Sequence, residues 1–172
     1  MLSNKTYIIS LLAMASVHFS KAQTFELEEK KAVQQNGFEY GYYITNEQNK
    51  VVKGDDYTRY EVTIYITNHT GCTKLYRNNF KTMITDNVGN KLALFNCTNA
   101  TGKRLTVKNA NIEAREFIVA TKVTINNKEE TKNAKVGYIF RNGETLQRNI
   151  IFIVPKNETP KIICSINTPE EM

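Results

Sequence analysis

Between Asp55 and Gly71 the chain reads DDYTRYEVTIYITNHTG, and from Tyr60 its apolar residues fall on every second position: Tyr60, Val62, Ile64 and Ile66. Successive side chains of a β-strand point to opposite faces, so a period of two buries one face and wets the other. The intervening Glu61, Thr63, Tyr65 and Thr67 suit the wet face, and the run is rich in the β-branched and aromatic types that fit a pleated surface. Asp55-Asp56 opens it and Asn68-His69-Thr70-Gly71 closes it, both turn-forming clusters. A strand with one oily face needs neighbours beside it and a second layer across from it. The stretch is therefore expected to be a central strand of an all-β domain.

The same period recurs along the chain. Thr24–Gln35 is ambiguous between strand and short helix; after the Asn36-Gly37 turn, Phe38, Tyr40, Tyr42 and Ile44 alternate. Asn46–Lys50 reads as a turn and Val51-Val52 as a short pairing segment. Further strands are expected at Thr73–Tyr76, Phe80–Ile84 and Lys91–Asn96, around Leu105 and Val107, and from Phe117 to Ile125 before a polar loop over Asn126–Glu130. Val136, Tyr138 and Phe140 lead into Asn142-Gly143, a strong hairpin signal whose second arm would be Leu146–Val154. Within that arm Asn149–Val154 is apolar at nearly every position, as in a strand covered on both faces. The pattern predicts an all-β fold: a single antiparallel immunoglobulin-like β-sandwich of about seven to nine strands.

The start of the chain reads differently. Lys5, an apolar run over Tyr7–Phe19 and small residues at Ser20 and Ala22 are the three parts of a secretory signal peptide, with cleavage after Ala22. The run is shorter than the ~20 residues a spanning helix needs. Residues 1–22 are thus expected to be a signal peptide, 23–155 the sandwich and 156–172 an extended tail with one edge strand at Ile162–Ile166. The protein would be secreted or periplasmic, with no membrane span after cleavage. Without Lys5 and Lys21 the 23 basic residues fall to 21 against 17 acidic, a net charge of +4. The signs are interspersed, which argues against a nucleic-acid footprint.

Cys72, Cys97 and Cys164 are the cysteines. In an oxidising compartment one pair and one leftover thiol are expected. Cys72–Cys97 is the expected disulfide, since both sit at strand ends; Cys164 would pair between chains or stay reduced. The alternative is three reduced, packed thiols. No zinc spacing, phosphate loop or other cofactor motif occurs, and beyond Ala22 the only serine is Ser165 and the only histidine His69. A Cys72 thiol activated by His69 competes with a plain turn histidine, and the carboxylates of Asp55-Asp56 or Glu113/Glu116 with solvated turn residues. Catalytic residues are not expected, and an atypical hydrolase is the last of the readings. Beyond Ala22, four Asn-x-Thr triplets, at Asn68, Asn96, Asn99 and Asn157, match the glycosylation pattern, as chance matches in an Asn-rich chain do.

What remains is surface. If Tyr60, Val62, Ile64 and Ile66 face inward, Tyr57, Arg59 and Tyr65 face outward, as does Tyr43 on its own strand. On neighbouring strands these four would form an aromatic and cationic patch of the kind that dominates interfaces; plain cross-strand tyrosine pairing is the competing reading. The signal ending SKAQ, the stretch YEVTIYITNHTG and the closing IIFIVP together resemble small secreted immunoglobulin-like proteins of unknown role from Bacteroidetes-type bacteria. That resemblance implies no catalytic motif. The expectation is a non-enzymatic binding module for a protein or glycan at the cell surface. The alternative is a structural subunit of a surface assembly, joined through Cys164 or an edge strand.

Overall fold

A computed structural model of the chain describes residues 23–77, 90–99, 108–126, 128–167, 169 and 171–172. Every described element is a strand: β1 (Thr24–Leu27), β2 (Val33–Gln35), β3 (Phe38–Val52), β4 (Asp55–Asn68), β5 (Lys74–Arg77), β6 (Lys91–Asn99), β7 (Lys108–Glu113), β8 (Arg115–Ile125), β9 (Lys128–Phe140), β10 (Thr145–Pro155) and β11 (Pro160–Ile166). They form antiparallel sheets of order β1-β11-β6-β7, β10-β4-β3-β2 and β5-β9-β8. The expected strands at Phe80–Ile84 and around Leu105 lie outside the described residues.

β4 is a central strand, with β3 on one side and β10 on the other. Its Tyr60, Val62, Ile64 and Ile66 are buried, together with Tyr40 and Tyr42 of β3 and Leu146, Ile150, Phe152 and Val154 of β10. The other four-stranded sheet contributes Leu27, Phe95, Cys97, Ala110, Ile112, Ile162 and Cys164 to the same core. Two sheets sharing one core are consistent with a β-sandwich. The sheets approach at one seam, where the Arg148 guanidinium of β10 donates to the Asn111 carbonyl of β7 at 3.3 Å.

Several segments depart from the sequence reading. Asn46–Lys50 is strand, not turn: β3 runs through a bulge at Ile44/Asn46, and the chain reverses only at Lys53-Gly54. Both turn residues have positive φ, 54° and 91°, the geometry that matches the twist of a two-residue hairpin. A polar run such as NEQNK looks like a loop because an arm wet on both sides has no oily face to show. β9 starts at Lys128, where a longer loop was expected, for the same reason.

Asn142-Gly143 does not make a hairpin. β9 pairs with β5 and β8, whereas β10 pairs with β4, so the turn passes the chain between sheets. Asn68 holds it there. Its side-chain amide donates to the carbonyls of Phe140 (3.0 Å) and Cys72 (3.1 Å), while its backbone N–H donates to Glu144 O and its carbonyl accepts from the Gly143 N–H. Nor is β10 covered on both faces: it is an edge strand with Ile151 exposed and alternate residues buried. Conversely, β11 lies between β1 and β6 with Ile162 and Cys164 wholly buried, so the expected edge strand of the tail is an inner one.

The disulfide expected between Cys72 and Cys97 is not formed, and all three thiols are free. Cys72 is exposed beyond the end of β4, and Cys97 is buried within β6, opposite Ile162. Burial pushes the thiols of Cys97 and Cys164 up to about 12. Joining chains through Cys164 is closed off in this fold, because that side chain has no exposed surface.

Candidate functional site

The outward residues of β4 do not form one patch. Tyr43 and Tyr65 meet, with ring centroids 6.3 Å apart and planes tilted by 45°. Tyr57 stands eight residues from Tyr65 on the same straight strand, about 27 Å away at the strand rise. Arg59 lies beside Tyr57's end of the strand and is tied to the Glu61 carboxylate at 2.5 Å. The Tyr65 ring crosses over Gly41, its cross-strand partner, so closely that a Cβ there would strike its phenol. Burial first, and then the Glu39 carboxylate, hold the Tyr65 phenol above its usual pKa. Covering a glycine in mid-sheet is a stabilising role, as cross-strand aromatic pairs commonly have.

The other candidates are dispersed too. His69 Nε2 lies 3.5 Å from Glu39, while the Cys72 sulfur lies 3.5 Å from the Thr70 hydroxyl. Ser165 Oγ is 3.2 Å from Thr24 Oγ1. Asp56 pairs with Lys156 at 2.9 Å, Glu113 accepts from Asn90, and Glu116 pairs with Lys135 at 2.6 Å. Among the described residues no three His, Cys, Asp or Glu side chains group to hold a metal ion. Of the Asn-x-Thr triplets, Asn68 is wholly buried with its amide engaged, so it has no room for a glycan.

A concave site does form where the open ends of the sheets meet β5. A cavity of about 230 Å³ is walled by Phe38 and Tyr40 of β3, Ile66 of β4, Tyr76 of β5 and Leu92 of β6. Phe38 is itself fixed by stacking on Phe140 (5.8 Å, 11°), and Tyr40 by an edge contact from Phe25 at 5.6 Å. Burial raises the pKa of both the Tyr40 and the Tyr76 phenol, so each remains a neutral hydroxyl. The rim is polar: Lys74 Nζ sits 3.0 Å from Glu171 Oε1, and Asn36 and Asn167 flank them.

The chain after β11 borders this cavity. Asn167 N–H donates to Leu92 O and Met172 N–H to Leu75 O, both at 2.9 Å, and Glu171 bridges to Tyr76. Sequence reasoning missed this site. Its walls come from segments that alternation places facing inward without saying which strand ends converge, and the Lys74–Glu171 pair joins residues 97 positions apart.

Comparison with protein-family models, with curated proteins and with solved structures finds no match to this chain.

Proposed function

We propose that the chain is an exported, non-enzymatic binding module of immunoglobulin-like β-sandwich type, working at the cell envelope or outside the cell, that holds a protein partner by one anchoring side chain. The observation that carries this reading is the cavity walled by Phe38, Tyr40, Ile66, Tyr76 and Leu92. Pockets that engulf a drug-sized ligand span roughly 300–1,000 Å³, and 230 Å³ falls below that range. It suits one large apolar or aromatic group presented by something bigger. Interface energy concentrates in such anchors, set in desolvated pockets with a polar rim, and Lys74 and Glu171 supply the rim. A glycan is the weaker partner, because Phe38, Ile66 and Leu92 give the walls an apolar character and the rim's Lys74 and Glu171 are already paired with each other. His69 pairs with Glu39, while Ser165 and Cys72 are partnered by Thr24 and Thr70 and not by His69, which favours binding over catalysis.

NMR titration of the isotope-labelled protein tests the reading, with N-acetyl-tryptophanamide, N-acetyl-leucinamide and N-acetylglucosamine as probes. Millimolar binding of the tryptophan amide, with shifts centred on Phe38, Tyr40, Ile66, Tyr76 and Leu92, is expected. Shifts centred elsewhere, or none from either amide, overturn it.

A further inference from the structure

β8 and β9 leave the body as a two-stranded arm. The third strand, β5, pairs with β9 only over Gly137–Phe140, and a bulge at Phe117/Ile118 marks the exit. Beyond it, Ile118–Ile125 pairs with Lys128–Lys135 alone, roughly 25 Å of ribbon at the strand rise. All of β8 is exposed except Phe117 and Val123, which are half-buried, and Ile118 and Val119 are among the large exposed apolar residues. A lone two-stranded ribbon is marginally stable in water and wants further strands.

Among the described residues β8 has one neighbour, β9, and no strand pairs with its other edge. That edge is eleven residues long and contains no proline (REFIVATKVTI), so no residue along it lacks the backbone N–H another strand would need. Of the other long edges among the described residues, β10 ends in Pro155 and is engaged with β7 at the seam through Arg148. β3 beyond Tyr40 is interrupted by the bulge at Ile44/Asn46, and β9 carries the extra residue Val136 where the arm leaves the body.

We propose that β8 pairs antiparallel with β8 of a second copy of this chain, about a two-fold axis at Val119. An interface on such an axis is self-complementary. In this register residues of like parity oppose each other, so outward-pointing backbone groups meet outward-pointing groups. Val119 faces Val119 of the second copy, Phe117 faces Thr121, and Glu116 faces Lys122. Within one chain Glu116 is already bound by Lys135, and Lys122 by Glu129. The pairing therefore makes a ladder of alternating sign across four strands: Lys135, Glu116, then Lys122 and Glu129 of the second copy. Symmetry repeats it on the other side of the axis. Moving the axis one residue, to Ala120, puts Glu116 opposite Thr124 and Lys122 opposite Ile118, which forfeits both cross-strand ion pairs.

Sedimentation of the protein expressed from Met1 and purified as recovered, from micromolar to near-millimolar, tests this. A monomer–dimer equilibrium is expected. Glu116→Lys or Lys122→Glu places like charges opposite each other twice per dimer and raises the Kd by about five-fold or more; the double exchange restores it. Thermal melts of each variant at dilution check that the body stays folded. As an independent readout, Val119→Cys in a Cys72→Ser background gives a covalent dimer on mild oxidation. A monomer throughout, a dimer indifferent to the single exchanges, a double exchange weaker than either single, or no Val119→Cys crosslink each overturns the proposal.

Discussion

At the scale of single residues, the buried polar and sulfur groups do the most to define this fold. Asn68 is wholly buried yet has a partner for every hydrogen-bonding function named for it. Its side-chain oxygen accepts from the Thr70 N–H and hydroxyl at 3.0 and 2.7 Å, and its amide spans to Cys72 and Phe140. Leaving such groups unpaired costs about 1–3 kcal/mol apiece, which is why one asparagine can direct the chain from sheet to sheet. The thiols divide by environment. Only Cys72 is expected to react with iodoacetamide in the native protein at neutral pH, and all three after unfolding; labelling of Cys97 or Cys164 without denaturant would contradict this. In the unfolded chain these two buried thiols ionise near 9, and in the fold near 12. Between those values the unfolded state holds fewer protons, so stability is full below pH 9 and falls as pH rises, by about 1.4 kcal/mol per pH unit for each thiol. The buried phenols of Tyr40 and Tyr76 push the same way from pH 10 upward. Urea midpoints that stay flat from pH 8 to 10.5 would refute that account.

Among elements, pairs of strands carry the specific contacts. Tyr65 of β4 lies across Gly41 of β3, a place where the sheet would otherwise show bare backbone. Gly41→Ala is expected to destabilise by about 1–3 kcal/mol through overpacking, and in a Tyr65→Ala background the same change should cost far less. Denaturant titration of the four species gives the coupling directly; additive effects would remove the Tyr65–Gly41 contact from the explanation. The strand most clearly marked in the sequence, β4, has paired neighbours on both sides and buries Tyr60, Val62, Ile64 and Ile66 as alternation predicts. Thr63 and Thr67, expected on the wet face, are buried too, because β3 and β10 flank them. Where a strand is wet on both sides, as in the outer parts of β3 and β9, alternation had nothing to record. Where a turn signal was strong, at Asn142-Gly143, it named a reversal correctly but not the strands on either side as partners.

For the whole molecule, a body of antiparallel sheets around one core carries a long arm, and its stability is unevenly spread. Backbone amides of Val62, Ile64 and Ile66 and of Phe95 and Cys164 lie in doubly flanked strands of the core. Amide exchange should be slowest there and approach the global unfolding limit, while Val51–Asp56 and Ile118–Ile125 exchange orders of magnitude faster in the dilute protein. Equal protection in arm and core would show that the arm is not the loosely held element described. If β8 pairs between chains, protection at Ile118, Ala120, Lys122 and Thr124 should also grow with protein concentration.

The amino-acid order alone settled what is decided one residue from the next. A period of two in apolar character forces strands, and the choice of face follows from it, which is why the inward residues of β4 and the outward Tyr43 and Tyr65 were legible. Adjacency was not legible. The neighbours of β10, the inner place of β11, the free state of Cys97 and the cavity between Phe38, Tyr76 and Leu92 rest on contacts between residues far apart in the chain. Those contacts are chosen by which sheet edges can pair and which oily faces can cover each other, a competition among all strands at once that no single stretch of sequence contains.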